Sequence, residues 1–189
     1  MSDDPYVYPG TRILRNKLNI RDTAELDYAE RRYSTIRSRQ GIPKGNFDLK
    51  HLKKIHRHLF QDLYEWAGEI RTVEISKGGS QFQFRQFIET GMADVHRRLV
   101  TSSFLKQLDR PAFASAAANI IGDVNYVHPF REGNGRTQLQ YLKQLAEQAG
   151  HPLDLTKIHA VGWIKASKEA HLAHYDLMAK LIDDALSKS

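Results

Sequence analysis

His128-Pro129-Phe130-Arg131-Glu132-Gly133-Asn134-Gly135-Arg136 stands between two stretches of helical periodicity. Upstream, Ala112 to Val127 carries Phe113, Ala116, Ala117, Ile120, Ile121 and Val124, apolar nearly all round, which marks a helix buried inside a bundle. Downstream, Gln138 to Gln148 repeats apolar residues at helical spacing until Gly150-His151-Pro152 stops it. The pattern is helix, tight loop, helix. Gly122 inside the apolar helix lowers helix propensity, so its presence predicts close packing against a neighbour.

Moving away from this loop, the other segments read mostly as helices too. Asp22 to about Arg39 places Leu26, Ala29, Tyr33 and Ile36 on one stripe, with Asp22 or Thr23 as cap. Leu49 to about Trp66 does the same with Leu52, Ile55, Leu59 and Leu63 after a possible Asp48 cap; its His51, His56 and His58 lack metal-ligand spacing and read as surface or packing residues. Further helices are predicted over Phe87 to Leu105, Ile158 to Glu169 and His171 to Leu186. The exception lies between Gly68 and Phe84, where two alternating pieces flank Lys77-Gly78-Gly79-Ser80 and predict a β-hairpin. A lone hairpin is marginal in water and must lean on the helices. The expectation is an all-α bundle with one β-hairpin flap. It forms a single domain over 1–189, with a core at 49–150, the flap at 70–84, a lead-in and helix over 1–40, and C-terminal helices over 154–187.

At 189 residues, with 41% hydrophobic and 26% charged residues, the chain has the composition of one soluble globular domain. No run approaches the roughly 18 apolar residues of a membrane span, and the first thirty residues hold no apolar signal-peptide core, so the expectation is a cytoplasmic protein without a membrane partner. The absence of cysteine excludes disulfides, thiolate nucleophiles and cysteine-ligated zinc. The net charge of +6 suits an acidic partner or a solubilising surface, but no helix-turn-helix, zinc-finger or RNA-binding signature accompanies it, and no nucleic-acid binding is expected.

The chemistry concentrates in the loop. Gly133 and Gly135 free backbone N–H groups to converge on an anion where the following helix begins, with its orphan donors and positive dipole end. The His128 imidazole can take a proton from a hydroxyl that attacks phosphorus. Glu132 beside those amides would repel phosphate unless a divalent cation bridged them, which implies Mg²⁺. Arg136 offers a charged fork to a second phosphate, and Asn134 a side-chain donor to a phosphate or ribose oxygen. No Lys-Ser or Lys-Thr pair follows the glycines, so the loop is not a Walker A motif. The spacing describes a phosphate site and leaves transferase and hydrolase chemistry both open.

The string HPFREGNGRTQ resembles the signature of the Fic family: His, any, Phe, any, Asp or Glu, Gly, Asn, Gly, Arg, two of any kind, Arg. The match holds from His128 to Arg136. Tyr8-Pro9-Gly10, Leu63-Tyr64-Glu65-Trp66-Ala67-Gly68-Glu69-Ile70-Arg71 and the hairpin are similar to that family as well. The resemblance implies a mainly helical protein adenylyltransferase that uses ATP as co-substrate with Mg²⁺ and moves AMP onto a Tyr, Ser or Thr hydroxyl of another protein. His128 would be the base, Phe130 the loop's core anchor and Glu132 the Mg²⁺ ligand. Gly133, Asn134 and Gly135 would cradle the nucleotide's phosphates, with Arg136 on the outer ones. Val73-Glu74-Ile75-Ser76-Lys77-Gly78-Gly79-Ser80-Gln81-Phe82 would be the flap that registers the target segment as an added strand.

One position departs from the signature: its closing Arg falls at 139, where this chain has Leu139. In the family that arginine is associated with the terminal phosphate and with an inhibitory glutamate; Leu139 serves neither. The family's inhibitory helix finds its nearest match in Thr23-Ala24-Glu25-Leu26-Asp27, but Tyr28 follows instead of Gly or Asn. The resemblance therefore implies the toxin of a toxin–antitoxin pair, held by a separate small antitoxin protein. Family members of this compact type modify bacterial type II topoisomerases, which gives one candidate target. The alternatives are a secreted effector of the same chemistry acting on host proteins, a transferase with a different nucleotide donor, and a non-catalytic protein-binding module.

Overall fold

The computed structural model describes residues 4–187. Seven α-helices form the body: α1 (Thr23–Arg39), α2 (Leu49–Phe60), α3 (Ile88–Thr101), α4 (Arg110–Val127), α5 (Asn134–Ala149), α6 (Ala160–His171) and α7 (Asp176–Ala185). Their starts follow from capping: the carboxylates of Asp22, Asp48 and Asp109 accept from Glu25, His51 and Ala112 N–H at 2.9, 2.7 and 3.0 Å. The apolar α4 is the central helix and packs against α3, α5, α6 and α7. Phe113, Ala117, Ile121 and Val124 on it are fully buried, and burying a side chain the size of Phe or Ile stabilises the fold by about 2 kcal/mol. Gly122 sits where a Cβ would lie 2.5 Å from the Tyr175 ring, which is the close packing its place in the sequence predicts.

Several boundaries differ from the periodic pattern. Helix α2 stops at Phe60, short of Trp66, because the chain turns back over it: Gly68 has φ +85, and its N–H is held by the His56 imidazole at 2.8 Å. Helix α3 stops at Thr101, short of Leu105, since Ser103, Phe104 and Leu105 all take positive φ. Helix α7 begins at Asp176 because Ala173, at φ 62, breaks the chain after α6. Helix α5 starts four residues before the predicted Gln138, at Asn134 inside the glycine loop.

The hairpin is present but its ladder is short: β1 (Ser76–Lys77) pairs antiparallel with β2 (Ser80–Gln81). Gly78 and Gly79 at φ 58 and 82 give the tip the two left-handed residues of a tight hairpin turn. Below the ladder its legs are not strands, although the sequence alternates through Ile70 to Glu74; side-chain hydrogen bonds hold them together instead. The N-terminal lead-in closes the same region. Tyr6 OH accepts from Thr72 N–H at 3.0 Å, and Asp4 pairs with Arg131 at 2.7 Å. No helix of the described residues is long and apolar enough to cross a membrane.

Candidate active site

The loop after α4 is built by its own residues. His128 ends the helix in the left-handed region (φ 47, ψ 62), which turns the chain sharply. Phe130 is fully buried and stacks on His56 with ring centroids 3.9 Å apart. His56 in turn is bonded to the loop, its Nε2–H donating to the Glu132 carbonyl at 2.9 Å, while Nδ1 accepts from Gly68. Burial pushes the His56 pKa down to about 3, so the ring is a neutral strut. Gly133 caps α5 at φ +82, where a Cβ would also lie 2.5 Å from Phe60. Backbone and packing both demand glycine there.

Asn134 does not offer its side chain to a ligand as the sequence suggested. Its Oδ1 accepts from Phe130 N–H at 3.0 Å and its Nδ2 donates to the Phe130 carbonyl at 2.7 Å, leaving it almost fully buried. The amide locks the loop, and what it leaves for an anion is the backbone at the start of α5. Gly135 is different from Gly133: apart from its own stretch of backbone, nothing lies within 4 Å of where its Cβ would be, and it faces the pocket.

That pocket, of about 480 Å³, gathers the loop and the flap. His128, Glu132, Asn134 and Gly135 line it with Glu74, Ile75, Ser76, Lys77, Ser80 and Phe82. Of the predicted flap, Gly78 and Gly79 form the tip, Gln81 ties to the Ile75 carbonyl at 3.0 Å, and Val73 lies at the base. The far wall is α6 and neighbours, through Asn125, Gln138, Trp163, Ser167, Lys168 and His171. Apart from Gln138, which closes the quoted string HPFREGNGRTQ, sequence reasoning passed over these residues because only the fold brings them to the loop. The side-chain amide of Gln138 and Nε1 of Trp163 are buried without a protein hydrogen-bond partner.

His128 Nδ1 lies 2.9 Å from the Asn125 carbonyl, an acceptor only, so the proton sits on Nδ1 and the Nε2 lone pair is free. Burial is the main cause that pushes its pKa down to about 4, with the charges of Arg71 and Lys77 and with His171 adding to it, against the Asn125 hydrogen bond. Phe82 covers the ring face to face, centroids 3.7 Å apart. The imidazole is thereby neutral, oriented and partly sheltered.

Arg136, expected to grip the outer phosphates, and Leu139, the position that departs from the signature, do not line this pocket. Arg136 opens onto a second cleft, of about 310 Å³, lined also by Arg12, Asp27, Glu30 and Arg31; Glu132 borders both. Arg136 lies over the Phe60 ring at 4.7 Å and pairs with the buried Glu30 carboxylate, with Glu132 at 3.7 Å. Leu139 packs against the core and faces a third groove beside Arg31, Arg39 and Leu59. Glu132 itself is about half exposed and accepts from Gly133 N–H at 2.7 Å. No group of three or more His, Cys, Asp or Glu side chains among the described residues converges as a metal cage.

Comparison with known proteins agrees with this arrangement. Residues 46–146 match the Fic/DOC family. The chain is 40% identical over 96% of its length to the protein adenylyltransferase VbhT of Bartonella schoenbuchensis, of which it spans only 38%. It is 32% identical over 98% of its length to a probable protein adenylyltransferase of Escherichia coli, spanning 94% of that protein. Its fold superposes with a TM-score of 0.88 on the solved structure of the translocated effector BepC of Bartonella tribocorum with bound AMPPNP, at 27% identity and 98% coverage of both chains. Together with the helical bundle, the hairpin and the loop from His128 to Arg136, these likenesses identify the chain as a member of the Fic/DOC family and an enzyme of its adenylyltransferase type.

Proposed function

We propose that this enzyme transfers AMP from ATP to a hydroxyl side chain of a target protein presented along the flap. The observation that carries this is the neutral His128, with Nδ1 tied to Asn125 and Nε2 left free, in one pocket with the start of α5. The target oxygen would attack the α-phosphorus and form the new P–O bond as the bond to pyrophosphate breaks. The hydroxyl proton would pass to His128 Nε2. The backbone N–H groups around Asn134 and Gly135 would bind the phosphates, needing no reorganisation because the Asn134–Phe130 amide lock already fixes them.

Glu132 fits an Mg²⁺ site shared with phosphate oxygens: it is a hard oxygen donor, half exposed, and only one of its oxygens is occupied by Gly133 N–H. When bound there, Mg²⁺ would neutralise phosphate charge.

On the partner, the reading favoured is a secreted effector acting on host proteins, supported by the likeness to BepC, whose description is a translocated effector. We prefer it to the toxin reading, with its antitoxin and topoisomerase, and under it the protein would act outside the producing cell. The test is to incubate the protein with Mg²⁺ and ATP labelled in the α-phosphate, in eukaryotic and bacterial lysates, beside His128→Ala. A labelled eukaryotic protein dependent on His128 is the expected result. Labelling confined to a bacterial protein would restore the toxin reading, and none above the His128→Ala background would refute transfer.

A further inference from the structure

Arg71 is the largest fully buried side chain among the described residues, and its side chain is 0% exposed. A guanidinium in such a place must spend its donors on fixed acceptors or be very costly. Its Nε donates to the His128 carbonyl at 2.9 Å. Its Nη1 donates to the Val73 carbonyl at 2.8 Å and to Glu74 at 3.2 Å. Its Nη2 donates to the carbonyl of Gln83, and its backbone N–H to that of Pro129 at 2.9 Å. One planar group therefore joins three pieces of chain: the leg entering the hairpin, the leg leaving it and the turn that carries the base.

Other contacts run the same way. Glu74 accepts from Arg85 N–H at 3.0 Å across the hairpin's base, and Gln83 N–H donates to the Tyr126 carbonyl at 3.0 Å at the end of α4. Phe82, next to Gln83, is stacked on the His128 ring. The ladder beyond is only two residues long per strand, too little to fix the legs by itself. The His128 backbone lies in the left-handed region, where a non-glycine residue stays only if its surroundings hold it.

We propose that Arg71 is a positioning residue for the transfer reaction, coupling the legs of the flap to the backbone of His128 so that a segment registered on the flap meets the base in one fixed geometry. Arg71 does not border the nucleotide pocket, so it acts through His128 and the flap. The proposal rests on His128 being the base. Lysine in its place keeps the charge but loses the fork that reaches separate carbonyls.

The test uses the whole protein and Arg71→Lys, with Arg71→Gln as a second variant. Calorimetry with Mg²⁺ and ATP is expected to give an affinity within about twofold of the unaltered protein, while transfer of labelled AMP in the same lysate at saturating ATP falls by about tenfold or more, the scale of a base displaced by a fraction of an ångström. Nitrogen NMR of labelled imidazoles is expected to show His128 losing its single Nδ1–H tautomer in the folded variants. A folded variant with unaltered transfer rate and unaltered His128 resonances overturns the proposal. If neither variant folds, hydrogen exchange of the unaltered protein decides: common protection of the Arg71, Gln83 and His128 amides supports the coupling, and separate opening of the Gln83 amide overturns it. Persistent labelling by His128→Ala would instead refute the role of the base, while the resonances and exchange still report on Arg71.

Discussion

The Glu30 carboxylate of α1 holds Arg136 of α5 through one oxygen and the Tyr64 hydroxyl through the other. Glu30 is 6% exposed, so this is a buried acid with two specific partners; burial, and after it the Glu30 charge and hydrogen bond, push the Tyr64 pKa up. Arg136 is the arginine the family signature assigns to the outer phosphates, and half of its fork is already engaged by protein. Its charge is largely neutralised before any nucleotide arrives.

It follows that Glu30→Gln, which keeps the size and an acceptor for Tyr64 but removes the negative charge, tightens ATP binding by about threefold to tenfold, the scale of one screened charge at a partly exposed site. Isothermal titration with and without 0.5 M added salt, on the order of a Debye length of 4 Å, would check it. The same change costs stability, because a buried pair loses one partner; about 1–3 kcal/mol in a denaturant melt is expected, discounted for the partial exposure of Arg136. Unaltered or weaker ATP affinity in the folded variant would mean that Glu30 orients Arg136 for phosphate instead of competing with it.

This pair also shows where the sequence runs out. The helices could be read from their periods, their starts from Asp22, Asp48 and Asp109, the hairpin from Gly78-Gly79, and the reacting loop from its own nine residues, since each of these signals lies within a few positions of what it specifies. Glu30 and His56 carry no such signal, and the family-like segment that holds Tyr64 and Arg71 does not say what they touch. Their meaning comes from partners distant in the chain, Arg136 for Glu30, the Glu132 carbonyl for His56 and the His128 carbonyl for Arg71. A glutamate in a helix and a histidine on an amphipathic face look alike in sequence whether they meet water or the underside of an active site. Asn134 misled for the opposite reason: its local setting suited a ligand contact, and the fold used the side chain on Phe130.

Acid should unfold this protein earlier than its carboxylates alone would. His56 is held neutral with its pKa pushed down to about 3, whereas in the unfolded chain it takes up a proton near pH 6.5. Between those values the unfolded state binds more protons, so stability is complete above about pH 6.5 and falls as the pH drops, by on the order of 2 kcal/mol at pH 5. Asp62, whose pKa the Arg37 hydrogen bond lowers, contributes only at more acidic pH. Urea melts from pH 7.5 to 4.5 should show the loss; His56→Gln should reduce it without abolishing it, because His128, with its pKa pushed down to about 4, and His51, also shifted down by burial, lose stability over the same range.

The proposed base gives a separate pH signature. With its pKa pushed down to about 4, His128 stays neutral well below the range where an exposed imidazole protonates. In the unliganded enzyme, the acid limb of kcat/KM for AMP transfer should therefore fall near pH 4 to 5 instead of near pH 6.5. Arg71→Gln removes one of the charges that lower it, so the limb should move toward neutrality. A limb at about pH 6.5 in the unaltered enzyme would mean that the flap opens and hydrates the ring before the reaction.

The two glycines of the loop separate folding from binding. At Gly133 an alanine must adopt φ +82 and push its Cβ to 2.5 Å from the Phe60 ring, so Gly133→Ala should lower the melting midpoint severely, with a loss of about 2 kcal/mol or more. At Gly135 an alanine meets no atom within 4 Å outside its own stretch of backbone and lies within the first turn of a helix, where it gains propensity. Gly135→Ala should therefore melt at or above the midpoint of the unaltered protein. Its methyl group would stand in the pocket beside the start of α5, where phosphate must approach the backbone, so ATP affinity should drop by about tenfold or more. Melting curves paired with calorimetry on both variants test this: if Gly135→Ala binds ATP as the unaltered protein does, the phosphates do not lie against the start of α5.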